Sequence, residues 1–194
     1  MSDKKIKMKA IRDELFELEE SPLYEERIKN KAFPVIGEGN HDARVIFIGE
    51  APGKNEAKTG KPFCGASGKV LDQLLEHIKI DREDVYITNI LKDRPTNNRD
   101  PKKDEIKLYA PFLDRQIEII QPKIIATLGR FSMEYIFKKF GIEEKLELIS
   151  KLHGKKIKIP DTDMVIIPLY HPAVAVCNNN MLDDLKKDFE NLKK

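Results

Sequence analysis

Residues 44–68 read RVIFIGEAPGKNEAKTGKPFCGASG, and they carry a strand together with the connection that follows it. The run Arg44 to Gly49 is short, apolar at consecutive positions and rich in branched residues, the pattern of a strand buried on both faces of a parallel sheet. The stretch holds five glycines, Gly49, Gly53, Gly60, Gly65 and Gly68; glycine permits left-handed turns and close approach of backbone to a ligand. Amides opening a helix near Gly68 would favour an anion. The spacing matches neither a P-loop, since GKS and GKT are missing, nor GxGxxG. A turn-rich connection and a ligand-binding loop therefore both fit it. Phe63, between Pro62 and Cys64, is either tucked into the core or displayed as a stacking platform, and its loop setting favours the platform.

Three further runs of the same kind lie downstream: Val85 to Leu91 (VYITNIL), Lys123 to Leu128 (KIIATL) and Met164 to Tyr170 (MVIIPLY). Between them, Val70, Leu71, Leu74, Leu75 and Ile78 fall on one helical face, as do Phe112, Leu113, Ile117, Ile120 and Met133, Ile136, Phe137, Phe140. Met8, Ile11, Leu15 and Leu18 predict an N-terminal helix and Leu182 to Leu192 a C-terminal one. Pro111 is expected to start or kink the helix of residues 104–120, because proline lacks an amide hydrogen. Strands alternating with helices predict an α/β fold, a three-layer α/β/α sandwich around a four-stranded parallel sheet, as one domain over residues 1–194. In such sheets ligands bind at the carboxyl ends of the strands.

Composition narrows the function classes. The chain has 194 residues, 40% hydrophobic and 35% charged, so neither a disordered nor a membrane-spanning protein is expected. The start MSDKKIKMKA lacks an apolar signal core, which predicts a cytoplasmic protein. Cys64 and Cys177 are the two cysteines, too few for a four-thiolate metal or iron-sulfur site. His41, His77 and His153 show no ligand spacing, and no metal site is expected. Net charge is only +2. Basic residues nonetheless cluster in windows 54–69, 92–103 and 151–158, whereas residues 10–26 are acidic. The windows 92–103 and 151–158 are the candidate phosphate contacts.

Two strand ends carry polar residues suited to recognition. Asn89 interrupts an apolar strand; its carboxamide offers both donor and acceptor, which serves equally to read a base edge or to cap backbone. His171 follows the fourth strand at the functional edge, with Pro172 and an irregular loop through Cys177 and Asn178 to Asn180 behind it. No GxSxG or other nucleophile motif is present.

Taken in order, GEAPGKNEAKTGKPFCGASGKVLDQLL, TNILKDRPTNNRDP, LDRQIEIIQPKIIATLGR and YHPAVAV resemble the uracil-DNA glycosylase superfamily, specifically family 4, its iron-sulfur type. The resemblance covers about residues 8–194 and implies a DNA-repair hydrolase that excises uracil and leaves an abasic site. It implies that Phe63 stacks on the flipped base, Asn89 reads its polar edge and His171 hydrogen-bonds O2. Glu50 would place water or counter charge on the sugar, Glu56 would exclude the thymine methyl, and Gly49 and Ala51 would line the base pocket. Lys61, Arg94, Arg99 and Lys102 would hold DNA, with Pro172 and Ala173 beside the duplex and the loop Pro172 to Met181 wedged into the stack. The partner implied is uracil-containing DNA, engaged by a monomer away from membranes. The resemblance breaks at the cluster. The positions where the family carries its cysteine ligands correspond to Leu18, Ser21, Asp93 and Tyr109, so no [4Fe-4S] cofactor is expected. A glycosylase for hypoxanthine or xanthine, and a silent binder of uracil-containing or single-stranded DNA, are the competing readings.

Overall fold

Residues 2–193 are described by a computed structural model of the chain. The strands in chain order are β1 (Glu38–Gly39), β2 (Val45–Gly49), β3 (Tyr86–Asn89), β4 (Ile124–Leu128), β5 (Ile157–Lys158) and β6 (Val165–Leu169). The helices are α1 (Asp3–Phe16), α2 (Tyr24–Lys29), α3 (Lys54–Thr59), α4 (Ala66–His77), α5 (Lys103–Ile120), α6 (Arg130–Lys139), α7 (Ile149–Leu152), α8 (Ala173–Cys177) and α9 (Met181–Phe189).

One sheet runs β1-β3-β2-β4-β6-β5. Its four inner strands are the four apolar runs, and all pair in parallel. The expected four-stranded sheet is thus the centre of a six-stranded mixed one. The two-residue strands β1 and β5 add antiparallel edges, too short to leave a periodicity in the sequence. Among the described residues, no helix is long and apolar enough to cross a membrane.

Alternation along the strands builds the layers. Ile46, Ile48, Ile125 and Ile166 turn to the face covered by α1, α5 and α6, where they meet Ile11, Leu113 and Phe137. Phe47, Ala126, Ile167 and Leu169 turn to the face covered by α4 and α9, where Phe47 stacks on Phe189 at 5.7 Å. Helix α1 ends at Phe16, so Leu18 lies beyond it although it is buried.

Three local expectations are corrected. Of the two roles expected for Pro111, starting the helix is excluded, because α5 begins eight residues earlier, at Lys103. It sits on the exposed side, four residues after exposed Lys107, whose carbonyl loses its amide partner to proline where water can replace it. The glycine-rich connection after β2 contains the short helix α3, closed by Gly60 at φ +72°. The segment after His171 is not an irregular loop but contains α8.

The central position of β4 gives a direct check. Ile125 is fully buried and pairs with Ile46 on one side and Ile166 on the other. Ile125→Ala is expected to lower the unfolding free energy by about 2–5 kcal/mol. Urea denaturation measures it, and an unchanged midpoint would contradict this core.

Candidate active site

The inner strands β2, β3 and β6 end at one edge, and a cleft of about 550 Å³ opens there. The register sets Gly49 beside Asn89 on the last rung of β2 and β3. A Cβ at Gly49 would run into the Asn89 amide oxygen and stand 2.8 Å from the Phe63 ring. Only a glycine leaves that space to these two side chains.

Phe63 is 5% exposed and belongs to the core on the α4 side, yet its ring also lines the cleft. It is both tucked and displayed. Its backbone is left-handed at φ +47°, a costly conformation for a large side chain that the surroundings must impose. Arg82 does so from outside, its Nη2 donating to the Pro62 carbonyl at 2.8 Å. Gly68 does so from inside, since any Cβ there would collide with the Phe63 carbonyl.

Asn89 is 1% exposed, and its Nδ2 is a buried donor with no partner among the described residues. An amide capping its own backbone would not be left so, and an unpaired buried donor costs about 1–3 kcal/mol. Beneath it lies Lys92, fully buried, whose Nζ donates to the Asn89 carbonyl at 2.8 Å, to Thr88 Oγ1 at 2.7 Å and to Gln116 Oε1 at 2.6 Å. Burial pushes the Lys92 amine well below its ordinary value. Lys92 therefore leaves the candidate phosphate contacts of window 92–103: it is a core residue, and its sequence neighbours concealed that.

His171 stacks on Phe63 with ring centroids 5.5 Å apart. Its Nδ1 accepts the Ala173 amide at 3.2 Å, which leaves the ring proton on Nε2. Burial holds the imidazole down to about 4, so near neutral pH the ring is an uncharged Nε2–H donor. Glu50 lies across the cleft. Its Oε1 accepts the Phe131 amide at 3.2 Å, at the start of α6, and burial pushes its carboxyl up while that amide pulls it back. Gly129, at φ +99°, makes room for it, because a Cβ there would overlap the Glu50 carboxylate. Glu56 accepts the Gly65 amide at 3.3 Å and sits over Gly53, where a Cβ would stand 2.6 Å from its Oε2.

Residues 36–193 match the sequence model of the uracil DNA glycosylase superfamily. The chain belongs to this superfamily. It is 44% identical over 189 residues to the type-4 uracil-DNA glycosylase of Sulfurisphaera tokodaii, covering 96% of this chain and 83% of that protein. It is 46% identical over 186 residues to that of Saccharolobus solfataricus, covering 94% and 83%. The match to the Archaeoglobus fulgidus type-4 enzyme is 41% over 166 residues, covering 84% and 82%.

Against the superfamily reading, the cleft brings together Glu50, Ala51, Glu56, Phe63, Asn89, Arg99, His171 and Ala173. Lys61 and Lys102 are exposed outside its lining, Arg94 bonds Asn98 Oδ1 at 2.7 Å, and Pro172 is buried. Pro172 thus supports α8 and offers no surface to a duplex. Arg99 is committed to Glu105, which is 1% exposed, through a bond of 2.9 Å from Nη1. The basic window 151–158 runs along β6: Gly154 donates its amide to the Pro168 carbonyl at 2.8 Å near the strand's carboxyl end, whereas Lys158 stands opposite Val165 at its amino end, the far end from the cleft. Sequence reasoning missed Asn55, Ser67, Asn98 and Asp100, which also line the cleft. The signal for Asn98 was the pair Asn97-Asn98, both left-handed at φ 56° and 53°, a conformation asparagine tolerates.

His171 should titrate near pH 4, not near 6.5. Since the unfolded ring binds its proton at the ordinary value and the folded ring resists it, stability is fully present above pH 6.5 and falls as pH drops toward 4. Imidazole NMR resonances followed over pH 3–8 test this; titration near 6.5 would refute the neutral donor.

Proposed function

We propose that the chain is a monofunctional uracil-DNA glycosylase, hydrolysing the N-glycosidic bond of deoxyuridine flipped out of DNA and leaving an abasic site. The observation that carries the reading is the buried Asn89 amide, its Nδ2 unpartnered, facing a cleft that also holds the Phe63 ring and a neutral His171. A base within a duplex is out of reach of such a cleft, so it must be extruded at a cost of a few kcal/mol, less at a mismatch. Stacking on Phe63 repays part of that cost. Asn89 accepts from N3–H and donates to O4, a pairing that uracil satisfies and cytosine does not.

As the glycosidic bond breaks, negative charge grows on O2 and positive charge on the sugar. His171 donates from Nε2 to O2, and because the ring is fixed by Ala173 it needs no reorganisation at that moment. We assign Glu50 to countering charge on the cation-like sugar or orienting the attacking water. Its second oxygen is free of the Phe131 bond that anchors the first. Glu56, fixed by the Gly65 amide, is the side chain we assign to excluding a 5-methyl group. Val176 on α8, 50% exposed, is the apolar side chain available to fill the gap in the stack.

Oligonucleotides with a single uracil, hypoxanthine, xanthine or thymine, incubated with the protein, should yield abasic sites from uracil without strand cleavage. His171→Ala should lower the single-turnover rate by roughly 10²-fold or more with little loss of DNA affinity, as removal of one preorganised donor does. Asn89→Asp should cost discrimination as well as rate, because a carboxylate cannot donate to O4. Release of another base in preference to uracil would move the assignment to that base. Binding without release of any base would leave a silent binder.

Phosphate contacts should come from exposed cations outside the cleft. Lys61→Glu and Lys102→Glu are each expected to weaken binding across all sequences and to reduce the log–log salt slope by about 1. Filter binding between low and moderate salt measures this; an unchanged slope removes the residue from the interface.

A further inference from the structure

The segment after β3 forms one wall of the cleft with Pro95, Asn98, Arg99, Asp100 and Pro101. Two of its residues, Asn97 and Asn98, are left-handed, so something must hold it in shape. Its entry residue Asp93 is 2% exposed and accepts Arg27 Nη1 at 3.0 Å and the Tyr109 hydroxyl at 2.7 Å. Tyr109 lies on α5, just past the segment's far end, and is fully buried. As it donates to Asp93, its oxygen accepts the Ser21 hydroxyl at 2.6 Å, and Ser21 Oγ in turn accepts the Leu23 amide at 3.1 Å. Arg27 also donates to the carbonyls of Leu15 and Phe16, both at 2.8 Å, which close α1.

Both ends of the wall are therefore tied to each other and to residues 15–27. By the family resemblance, Ser21, Asp93 and Tyr109, with Leu18 beside them, fall where the iron-sulfur type carries its cysteine ligands. The set does not fit that group. It offers two hydroxyls, a carboxylate already paired with arginine and an aliphatic side chain, whereas such clusters are held by thiolates. Cys64 and Cys177 are exposed elsewhere.

We propose that Ser21, Arg27, Asp93 and Tyr109 form a hydrogen-bonded clamp that stands in for the metal cluster and positions the cleft wall, residues 94–102, for DNA. The inference rests on the glycosylase reading for its effect on turnover, and on the hydrogen bonds alone for its effect on the wall. Tyr109 and Asp93 act through the wall as positioning residues and touch no substrate.

The test uses the full chain. Tyr109→Phe keeps the buried ring and removes both bonds, whereas Asp93→Ala would strand the Arg27 charge in the core. The variant is expected to raise KM for uracil-containing DNA by at least about 3- to 10-fold, since each of the two bonds lost is worth roughly that much, with the single-turnover rate at saturating enzyme within about twofold. Amide exchange in residues 94–102 should accelerate while that of the central strands does not. Ser21→Thr, which keeps the hydroxyl, should behave as wild type and Ser21→Ala as a weaker Tyr109→Phe. Ser21→Ala carries the same readouts should Tyr109→Phe not fold. Unchanged exchange and KM would overturn the clamp, and a fall in the single-turnover rate alone would make it part of the chemistry instead. Exchange is read on free protein, so it judges the clamp even if wild type releases no uracil. Protein purified anaerobically should be colourless; stoichiometric iron with broad visible absorbance would overturn the replacement of the cluster.

Discussion

Gly49 and Asn89 share the last rung of the β2–β3 ladder, and the volume that Gly49 lacks is the volume the site uses. With any side chain there, the Asn89 amide and the Phe63 ring could not both keep their places. The sheet supplies the rigidity: β2 and β3 are central, buried on both faces, and cannot yield locally without disturbing packing on either side. Further glycines extend the same logic outward, Gly53 making room for Glu56 and Gly129 for Glu50. Asn89, Phe63, Glu56 and Glu50 thus each occupy space that a neighbouring glycine leaves open.

Burial then sets the electrostatics. Removing water from the cleft edge leaves His171 neutral and raises the Glu50 carboxyl, so in the mechanism proposed above the charge of a departing base would meet fixed dipoles instead of mobile solvent. The cost is visible in the unpartnered Asn89 Nδ2. Lys92 carries a related cost. Its amino group is fully buried, and the oxygens of Thr88, Asn89 and Gln116 accept its hydrogen bonds while it fixes the backbone carbonyl of Asn89 from below.

The cleft has one wall made of sheet and another made of a long segment with little regular structure. That second wall needs cross-links. Arg99 is fixed by Glu105, whose Oε2 also accepts the Lys102 amide at 2.9 Å and so caps α5. The buried network around Asp93 ties down the segment's ends. A polar network in a core is costly unless every member is satisfied, and here the carboxylate, the phenol, the hydroxyl and the guanidinium each have partners.

What the sequence determined by itself is the set of local patterns. Four short apolar runs separated by amphipathic helical patterns point to a largely parallel sheet between helices, and the glycine-rich stretch with Phe63, the strand-end Asn89 and His171 in order carry the resemblance to the superfamily. These depend on periodicity and residue type, which the chain displays without folding. Tertiary structure alone decided which cations face water. Lys92 and Arg94 are two positions apart, yet one is sealed under Asn89 and the other reaches Asn98, because the chain turns where β3 ends. It also decided that Pro172 supports α8 and that Lys158 lies at the wrong end of the sheet. Finally, Ser21, Arg27, Asp93 and Tyr109 are ordinary polar residues spread over 88 positions between Ser21 and Tyr109; only folding α1, α2 and α5 onto one side of the sheet makes them a single network.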